Sequence, residues 1–382
     1  MDLSNFKMTK KLGFGLMRLP QTDPDDYASP IDREKVNRMV DAMMAGGFNY
    51  FDTAYVYNDG DSEKAFRDSV VARYPRESFT ITDKLPVFAM NTKADMERIM
   101  GEMLENCGVD YLDYLWLHAL SDATYDKAVH TLDGFNYLRQ MKKEGKALHI
   151  GFSFHGSPAM LDRILTEQPD MEVVQLQINY LDWEDRTVEA HKCYDVCVKH
   201  GKPVVVMEPV KGGSLANLPA EAARLFEEKA PGKSAASWAI RFAASHENIL
   251  TVLSGMSNEE QVMDNIATMQ DFVPLTDEEK SLTQRAAANI RKDIAIPCTA
   301  CRYCTSGCPM QIVIPDYFTI YNNIKKFGET AMTDVYNYYN NLIQIHGAPG
   351  DCIKCGLCEE HCPQHLPIRD LLEEVKAAIE GA

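Results

Sequence analysis

Four residues whose side chains can donate, accept or hold a proton come at or just after apolar runs of strand length: Asp52, Tyr57, Lys84 and His118. The three runs read Phe48–Asp52, Phe79–Lys84 and Tyr114–His118, and Tyr57 follows the first of them on an expected loop. In a (β/α)8 barrel the carboxyl ends of all strands open onto one face, where active sites are built. The sequence therefore predicts that a carboxylate, a phenol, an ammonium and an imidazole meet at one barrel mouth.

A second chemical signature lies in the cysteines near the C-terminal end. The pattern Cys-x2-Cys-x2-Cys-x3-Cys-Pro occurs twice, as Cys298, Cys301, Cys304 and Cys308 and as Cys352, Cys355, Cys358 and Cys362. This is the spacing of bacterial two-cluster ferredoxins, in which each run gives three thiolates to one cluster and its fourth to the other. It predicts one [4Fe–4S] cluster on Cys298, Cys301, Cys304 and Cys362, and another on Cys352, Cys355, Cys358 and Cys308. Zinc also binds Cys-x2-Cys pairs, but two complete runs favour iron–sulfur clusters.

The elements that must position these groups alternate between strand-like and helical patterns. Eight strand-like runs begin near Leu12, Asn49, Phe79, Tyr114, Leu148, Val173, Val204 and Leu250. Between them, apolar residues recur at i, i+3, i+4 and i+7, for example over 36–43 and 96–103, as in amphipathic helices. Alternating strands and helices indicate parallel βαβ construction, and eight strands close a barrel. We predict an α/β protein with a (β/α)8 TIM barrel, with an open doubly wound sheet as the alternative.

The composition changes where the cysteine region begins. Thr276-Asp-Glu-Glu is typical of a capped helix start, and the segment Ile294–Pro297 follows that helix. We place the boundary near residue 290, with the barrel over 1–290 and a small, mainly helical iron–sulfur domain over 291–382. Between the cysteine runs, Ile320, Ile324 and Phe327 stand at helical spacing. This resembles the α-helical ferredoxins more than the compact βαβ kind.

Together, Asp52, Tyr57, Lys84 and His118 resemble the catalytic tetrad of the aldo-keto reductases. The resemblance implies that Tyr57 protonates a carbonyl oxygen during hydride reduction and that Lys84 lowers the phenol's pKa from its usual value near 10. It also implies that Asp52 holds Lys84 charged and that His118 orients the carbonyl. Singly, each residue also fits a structural role, such as a barrel salt bridge or a core histidine. The four in this order favour the catalytic site.

The same resemblance implies positions for a nicotinamide cofactor, NAD(P)H. The candidate positions are Gly15, Ser153, His155, Gln177, Met207, Lys211, Gly212, Gly213 and Asn265. Gln177 and Ser153 match family residues that bind the nicotinamide carboxamide, and Asn265 matches the adenosine end. The Lys211-Gly212-Gly213 turn fits a pyrophosphate loop built from backbone N–H groups, although a glycine-rich surface turn is the plain alternative. The Gly13-x-Gly15 pair lacks a third glycine, so a Rossmann fingerprint is not indicated.

The segment before Asn265 carries Glu259 and Glu260, where NADPH-specific relatives carry basic residues for the 2′-phosphate. NADPH would lose its charge-assisted partner there. We therefore expect a preference for NADH, weak nicotinamide binding, or another cofactor such as FMN.

The composition narrows the class of protein. Hydrophobic residues make up 45% and charged residues 25%, as in soluble globular proteins. The net charge of −17 argues against a nucleic-acid partner, which needs clustered Lys and Arg. No signal-peptide pattern or membrane-length apolar run is present, so we expect a cytoplasmic location and no membrane partner. Cysteines gathered in two short runs indicate metal ligation in a reducing, anaerobic setting.

These signatures predict an oxidoreductase that interconverts a small-molecule carbonyl and alcohol, while two clusters exchange electrons with a ferredoxin or flavoprotein partner. Nicotinamide delivers two electrons as hydride, whereas each cluster passes one. A flavin- or ferredoxin-dependent reductase without nicotinamide is therefore the alternative. An electron-transfer protein with a scaffold barrel, or clusters that only stabilise their domain, are the remaining readings.

Overall fold

The computed structural model describes residues 6, 10–23, 29–185, 188–291, 294–327, 339, 342–344 and 346–379. Within these residues, eight strands form a closed barrel in chain order. They are β1 (Leu12–Gly15), β2 (Tyr50–Asp52), β3 (Thr80–Pro86), β4 (Leu112–Leu120), β5 (Ala147–Phe154), β6 (Val173–Gln177), β7 (Val204–Met207) and β8 (Ile249–Gly255). Every neighbouring pair is parallel, including β8 with β1. The predicted (β/α)8 barrel is confirmed, and the open sheet is not found.

The helices of the described residues follow the strands in the same order. They are α1 (Arg33–Ala45), α2 (Asp61–Phe66), α3 (Lys93–Cys107), α4 (Gly134–Lys143), α5 (Pro158–Glu167), α6 (Ala190–Lys199), α7 (Ala220–Lys229), α8 (Ala235–Ala244), α9 (Glu259–Met269), α10 (Asp277–Ile290), α11 (Tyr303–Ser306), α12 (Ile314–Phe327), α13 (Leu357–Glu360) and α14 (Ile368–Ile379). Short 3₁₀ or π turns add Leu16–Arg18, Tyr57–Gly60, Arg67–Val71, Arg76–Ser78, Lys127–Thr131, Lys211–Gly213 and Pro349–Asp351. None of the described helices is both long and apolar enough to cross a membrane.

The apolar periodicities read from the sequence correspond to buried helix faces. In α1 the residues Val36, Met39, Val40 and Met43 are all buried, and α3 buries its own Met and Ile positions. The sequence from 126 to 144 predicts one long helix, but the structure has two pieces, Lys127–Thr131 and α4 (Gly134–Lys143). Asp133 breaks the helix with a left-handed φ of 57°, and its carboxylate accepts hydrogen bonds from Lys93 and Asn136. These side-chain bonds stabilise the break.

Large buried side chains from several strands pack together in the barrel. A buried cluster joins Tyr50, Tyr114, Trp116, Val173, Val205, Leu250 and Leu253. Gly151 on β5 is required for this packing. A Cβ atom at Gly151 would lie 2.1 Å from the Val173 carbonyl oxygen and 2.4 Å from the Trp116 ring, distances that van der Waals repulsion forbids. The barrel is thus a packed core below its mouth.

The chain divides into two compact units. The first comprises Met1–Val210 and Lys233–Thr283 and contains the barrel. The second comprises Lys211–Gly232 and Gln284–Ala382 and contains both cysteine runs. The assignment of 211–232 to the second unit was not indicated by the sequence, whose predicted boundary lies near residue 290.

The second unit has its own apolar core. Its buried members include Tyr317 and Phe318 of α12 and Leu372 and Val375 of α14. Cys304, Cys358 and Cys362 belong to this core, and Cys298, Cys308 and Cys352 pack against it. The cysteine runs are therefore anchored on a helical scaffold, as the sequence predicts.

Candidate active site and cluster ligands

Lys84 lies at the centre of the barrel mouth, on β3. Its side chain is fully buried, and its Nζ lies 2.5 Å from Asp52 Oδ1 and 2.6 Å from the Thr53 carbonyl oxygen. The same Nζ is 3.4 Å from Tyr57 Oη and 4.8 Å from the centre of the Tyr57 ring. The ammonium is thus fixed between a carboxylate and a phenol, since a buried cation requires such partners.

Asp52 ends β2 and is 3% exposed. Burial raises the pKa of the Asp52 carboxyl, while the Lys84 ammonium and a hydrogen bond from Gln175 oppose that rise. Gln175 Nε2 donates to Asp52 Oδ2 at 3.1 Å. Gln175 and Gln177 alternate along β6 and therefore lie on the same strand face. The structure makes Gln175 the second partner of the Asp52 carboxylate.

Tyr57 stands on the 3₁₀ turn that follows β2. Its backbone N–H donates to the Ala54 carbonyl at 2.9 Å, and the next two residues, Asn58 and Asp59, adopt left-handed φ angles of 51° and 53°. Asn and Asp tolerate this conformation better than other residues with a Cβ. The tight turn holds the phenol beside Lys84.

His118 lies where β4 becomes irregular, between Leu117 and Leu120. The next residue, Ala119, has a left-handed φ of 56°, and its N–H donates to Ser153 Oγ at 2.8 Å. Such bulges re-aim side chains at barrel rims. The His118 ring lies edge-on to the Tyr57 ring, with centroids 5.8 Å apart. Burial, and then the charge of Lys84, hold the pKa of His118 well below its usual value, so the ring is neutral at pH 7.

The structure therefore brings Asp52, Tyr57, Lys84 and His118 together at one end of the barrel. A cation next to a phenol and a neutral imidazole beside it form an arrangement suited to proton donation toward a bound oxygen.

Three more buried side chains, those of Asp83, Glu63 and Cys107, lie together next to Lys84 on the outer side of β3. Asp83 Oδ1 accepts from the Lys84 N–H at 2.8 Å, and Asp83 Oδ2 accepts from Cys107 Sγ at 3.5 Å. Glu63 lies against them and accepts from Asn106 Nδ2 at 2.8 Å. Burial raises the pKa of Glu63 and of Asp83, and the Asp83 carboxylate raises that of Glu63 further. Because two buried carboxylates in contact cannot both ionise, the pair is expected to share one proton.

Several predicted cofactor positions are held by residues near them. Asp182 Oδ2 accepts from Gln177 Nε2 and from Asn179 Nδ2, both at 2.7 Å. Ser153 is buried beside the His118 bulge. Met207 ends β7, directly opposite Gln177 in the β6–β7 register. These fixed, buried polar groups fit the recognition of a carboxamide, whose amide offers both donors and an acceptor.

The positions predicted for the adenosine end lie on α9 and its flanks. Asn265 is buried and donates to Ser254 Oγ at 2.8 Å. Glu259 Oε1 accepts from Arg38 Nε of α1 at 2.6 Å, with both side chains about half exposed. The acidic residue noted in the sequence therefore has a basic neighbour that the sequence did not indicate, because 221 residues separate the two.

The remaining predicted positions are glycines and their neighbours. Gly15 ends β1 opposite Asp52 and Gly255. His155 follows β5 and is half-buried. Lys211, Gly212 and Gly213 form a 3₁₀ turn in the second unit, where Lys211 Nζ donates to Gln364 Oε1 at 2.9 Å.

Sulfur atoms of both cysteine runs lie near Cys304. Burial raises the pKa of Cys304, and the nearby sulfurs of Cys301, Cys298, Cys362 and Cys358 raise it further. Burial also raises the pKa of Cys298 to about 11, opposed by an N–H bond from Ala300 at 3.4 Å. Cys362 and Cys358 of the second run therefore lie near Cys304 of the first, and the division of the eight cysteines between two clusters stays a prediction.

A second group of sulfur atoms comes from Cys352, Cys355 and Cys358 of the second cysteine run. Burial raises the pKa of Cys358 to about 11, and the sulfurs of Cys352 and Cys355 lie close enough to add to that rise. Cys308 packs against the same helical core. Cysteine thiolates are the ligands of iron–sulfur clusters, and a bound cluster would deprotonate these thiols. Sulfur atoms gathered in this way therefore fit iron–sulfur ligation.

Comparisons with known proteins agree with both halves of this description. The model of the aldo/keto reductase family matches residues 11–287, and that of a 4Fe-4S dicluster domain matches residues 297–366. L-galactose dehydrogenase of Arabidopsis thaliana is 23% identical over 272 residues, which cover 67% of this chain and 84% of that enzyme.

Two solved structures share the barrel fold. The holo form of aldo-keto reductase AKR11C1 from Bacillus halodurans is 25% identical, with a TM-score of 0.59, over 72% of this chain and 91% of that one. An aldo/keto reductase from Klebsiella pneumoniae, solved with NADP and acetate, is 20% identical, with a TM-score of 0.59, over 72% and 90%.

Proposed function

The chain belongs to the aldo/keto reductase family, and we propose that it interconverts a small-molecule carbonyl and its alcohol at the site of Asp52, Tyr57, Lys84 and His118. We further propose that its two [4Fe–4S] clusters exchange electrons with a redox partner protein. The observation that carries the proposal is the buried Lys84 ammonium, which lies 2.5 Å from Asp52 Oδ1 and 3.4 Å from Tyr57 Oη.

In the direction of reduction, Tyr57 gives the proton of its hydroxyl to the carbonyl oxygen. The Lys84 ammonium stabilises the phenolate that remains, since an adjacent cation favours the ionised form. Asp52 and the Thr53 carbonyl keep that ammonium in place. A nicotinamide cofactor, when bound, supplies the hydride for the carbonyl carbon. The phenolate regains a proton from solvent before the next turnover.

His118 orients the substrate. Its pKa is depressed by burial and by Lys84, so the ring is neutral and carries one N–H donor and one acceptor. A neutral ring beside Tyr57 can donate a hydrogen bond to the carbonyl oxygen without competing as an acid.

The clusters extend this chemistry beyond the barrel. Hydride transfer moves two electrons at once, whereas each cluster carries one. A pair of clusters therefore suits exchange with a one-electron carrier, such as a ferredoxin or a flavoprotein. We propose that this partner binds at the second unit.

A second candidate is a flavin-dependent reductase without nicotinamide. Glu259 and Glu260 in the first turn of α9 disfavour the 2′-phosphate of NADPH, although they leave NADH as a possible cofactor. A bound flavin would also connect two-electron chemistry to the clusters.

The test uses anaerobic protein with both clusters loaded. Tyr57→Phe should lower kcat/KM for carbonyl reduction by about 10²- to 10⁴-fold, the usual contribution of a positioned proton donor. Tyr55→Phe is the matched control, because Tyr55 lies two residues away and donates to Glu102 at 2.6 Å. Tyr57→Phe protein that keeps full activity would overturn the proposed site.

Cluster absorbance separates the two candidates. The clusters of the nicotinamide enzyme should keep their oxidised absorbance when NADH alone is added, and turnover should need no flavin. Bleaching by NADH only after FMN is added, together with flavin-dependent turnover, would favour the second candidate.

A further inference from the structure

The Asp52 carboxylate is held from two sides of the barrel. Its Oδ1 lies 2.5 Å from Nζ of Lys84, which is on β3, the strand paired with β2. Its Oδ2 accepts from Gln175 Nε2 at 3.1 Å. Gln175 is on β6, and in this closed barrel of eight strands in chain order β6 lies four strands from β2 in either direction. The bond from Gln175 therefore crosses the barrel interior.

The surroundings of Gln175 make this bond a protected one. The Gln175 side chain is 2% exposed, and its neighbours in the sheet, Ser153 of β5 and Val205 of β7, are buried as well. A buried amide is expected to spend its donors on protein partners, and the donor of Gln175 goes to a carboxylate. Hydrogen bonds to a charged group are stronger than those between neutral groups.

The second bond matters because the last torsion of an aspartate side chain is soft, with a broad and roughly twofold distribution. A bond from Lys84 to one oxygen leaves the carboxylate plane free to turn about that bond. A donor on the other oxygen, from the opposite wall, fixes the plane. The Lys84 ammonium is held by the same carboxylate and lies 3.4 Å from Tyr57 Oη. A turn of the Asp52 carboxylate would therefore carry the ammonium away from the phenol.

We propose that Gln175 is a positioning residue of the reductase site, which fixes the Asp52 carboxylate so that the Lys84 ammonium stays beside Tyr57. This inference rests on the proposed function, because it places Gln175 in the same proton-transfer site. The role requires no contact between Gln175 and the substrate. Gln177, two residues further along β6, has a different partner, since its amide donates to Asp182 at 2.7 Å.

The experiment compares steady-state kinetics of anaerobic protein with both clusters loaded. Gln175→Met keeps the length of the side chain but removes the donor. Its kcat for carbonyl reduction with NADH should fall about tenfold, the effect of one lost hydrogen bond to a charged group. KM should change less than about twofold, because the contacts with substrate remain. Gln140→Met is the matched control, since Gln140 also donates to a carboxylate, that of Glu144 at 2.8 Å, but on the exposed surface. It should leave kcat and KM unchanged.

A double-mutant cycle tests whether Gln175 acts through Asp52. In Asp52→Ala protein the carboxylate is absent, so adding Gln175→Met should lower kcat by less than about twofold. Asp52→Asn, which keeps the shape of the side chain, takes its place in the cycle if Asp52→Ala does not fold. The same tenfold loss of kcat in both backgrounds would overturn the proposal, because Gln175 would then act on something other than Asp52.

Urea unfolding gives a measurement that does not depend on the reaction. Losing the bond should raise the equilibrium constant for unfolding of Gln175→Met by about tenfold, and Gln140→Met should change it far less. Wild-type protein without carbonyl reductase activity would overturn the proposed function and this inference with it. Wild-type activity together with an unchanged kcat in Gln175→Met would overturn this inference alone.

Discussion

Replacing Lys84 by Met should test whether the ion pair at the barrel mouth is as deeply buried as the structure indicates. The variant keeps the shape of the stem but leaves the Asp52 carboxylate 3% exposed without its cation. Gln175 would remain as its hydrogen-bond donor. The Thr53 carbonyl would also lose the bond it accepts at 2.6 Å.

The expected loss of folding free energy follows from the cost of leaving a buried charge without its partner. Breaking a buried pair from one side costs about 3–5 kcal/mol, in contrast to the ~0–1 kcal/mol of an exposed pair. Removing both charges, as in Lys84→Met with Asp52→Asn, should recover most of this loss, because no buried charge remains. Asp52→Asn alone serves as the second arm of the cycle.

Tryptophan fluorescence during urea unfolding reports the barrel selectively. All three tryptophans of the chain, Trp116, Trp183 and Trp238, are buried in the barrel unit. The transition can thus be followed apart from that of the cluster unit, which a two-state fit of the whole chain would not allow.

The pH dependence of the stability loss in Lys84→Met is an independent test, because its direction can be predicted. Burial raises the pKa of Asp52 above its unfolded value, and the Lys84 ammonium opposes the rise. Without Lys84 the folded pKa moves further up from the unfolded value near 4. A raised folded pKa gives stability that is present below the unfolded pKa and is lost as pH rises through the folded pKa. The deficit of Lys84→Met should therefore be larger near about pH 8 than near about pH 5. A loss under about 1 kcal/mol with no pH dependence would refute the buried pair.

Two further predictions concern carboxylates. Glu63→Gln keeps a donor toward Asp83 but removes a group whose pKa burial and Asp83 raise. As pH rises above about 4, the pKa of Glu in an unfolded chain, the thermal midpoint of this variant should therefore fall less than that of wild type. An equal fall of the thermal midpoint in the two proteins would contradict the shared proton. Glu259→Gln frees Arg38 from its 2.6 Å bond and should shift the NADPH/NADH ratio of dissociation constants about fivefold toward NADPH, a surface-pair effect of about 1 kcal/mol. An unchanged ratio in fluorescence titrations would place the 2′-phosphate elsewhere.

The barrel and the tetrad could be predicted because both depend on local signals. Strand-like runs recur along the sequence, and the run that begins near Val204 corresponds to β7 (Val204–Met207). Asp52, Lys84 and His118 are at or near the carboxyl ends of parallel strands, so the topology alone brings them to one face. The cysteine spacing likewise predicts which cysteines share a cluster, and that division stays a prediction.

The remainder depends on contacts between residues distant in sequence. The bulge after His118 is held by Ser153, 34 residues away, and no local pattern indicates it. Arg38 meets Glu259 only because α1 and α9 are neighbours in the ring of helices. The Lys211 turn reads as a phosphate loop from its glycines, yet its partner is Gln364 in the cluster unit. A glycine-rich sequence does not indicate which distant residues will bond to the side chains beside it.

Isotope transfer tests the central claim most directly. Wild-type protein would be given NADH deuterated at the transferring C4 position, together with a panel of aldehydes and ketones under anaerobic conditions. We expect deuterium on the carbinol carbon of the product, and a rate at least about 10²-fold lower in Tyr57→Phe. Product without deuterium, formed while the clusters are oxidised and reduced, would contradict direct hydride transfer at this site.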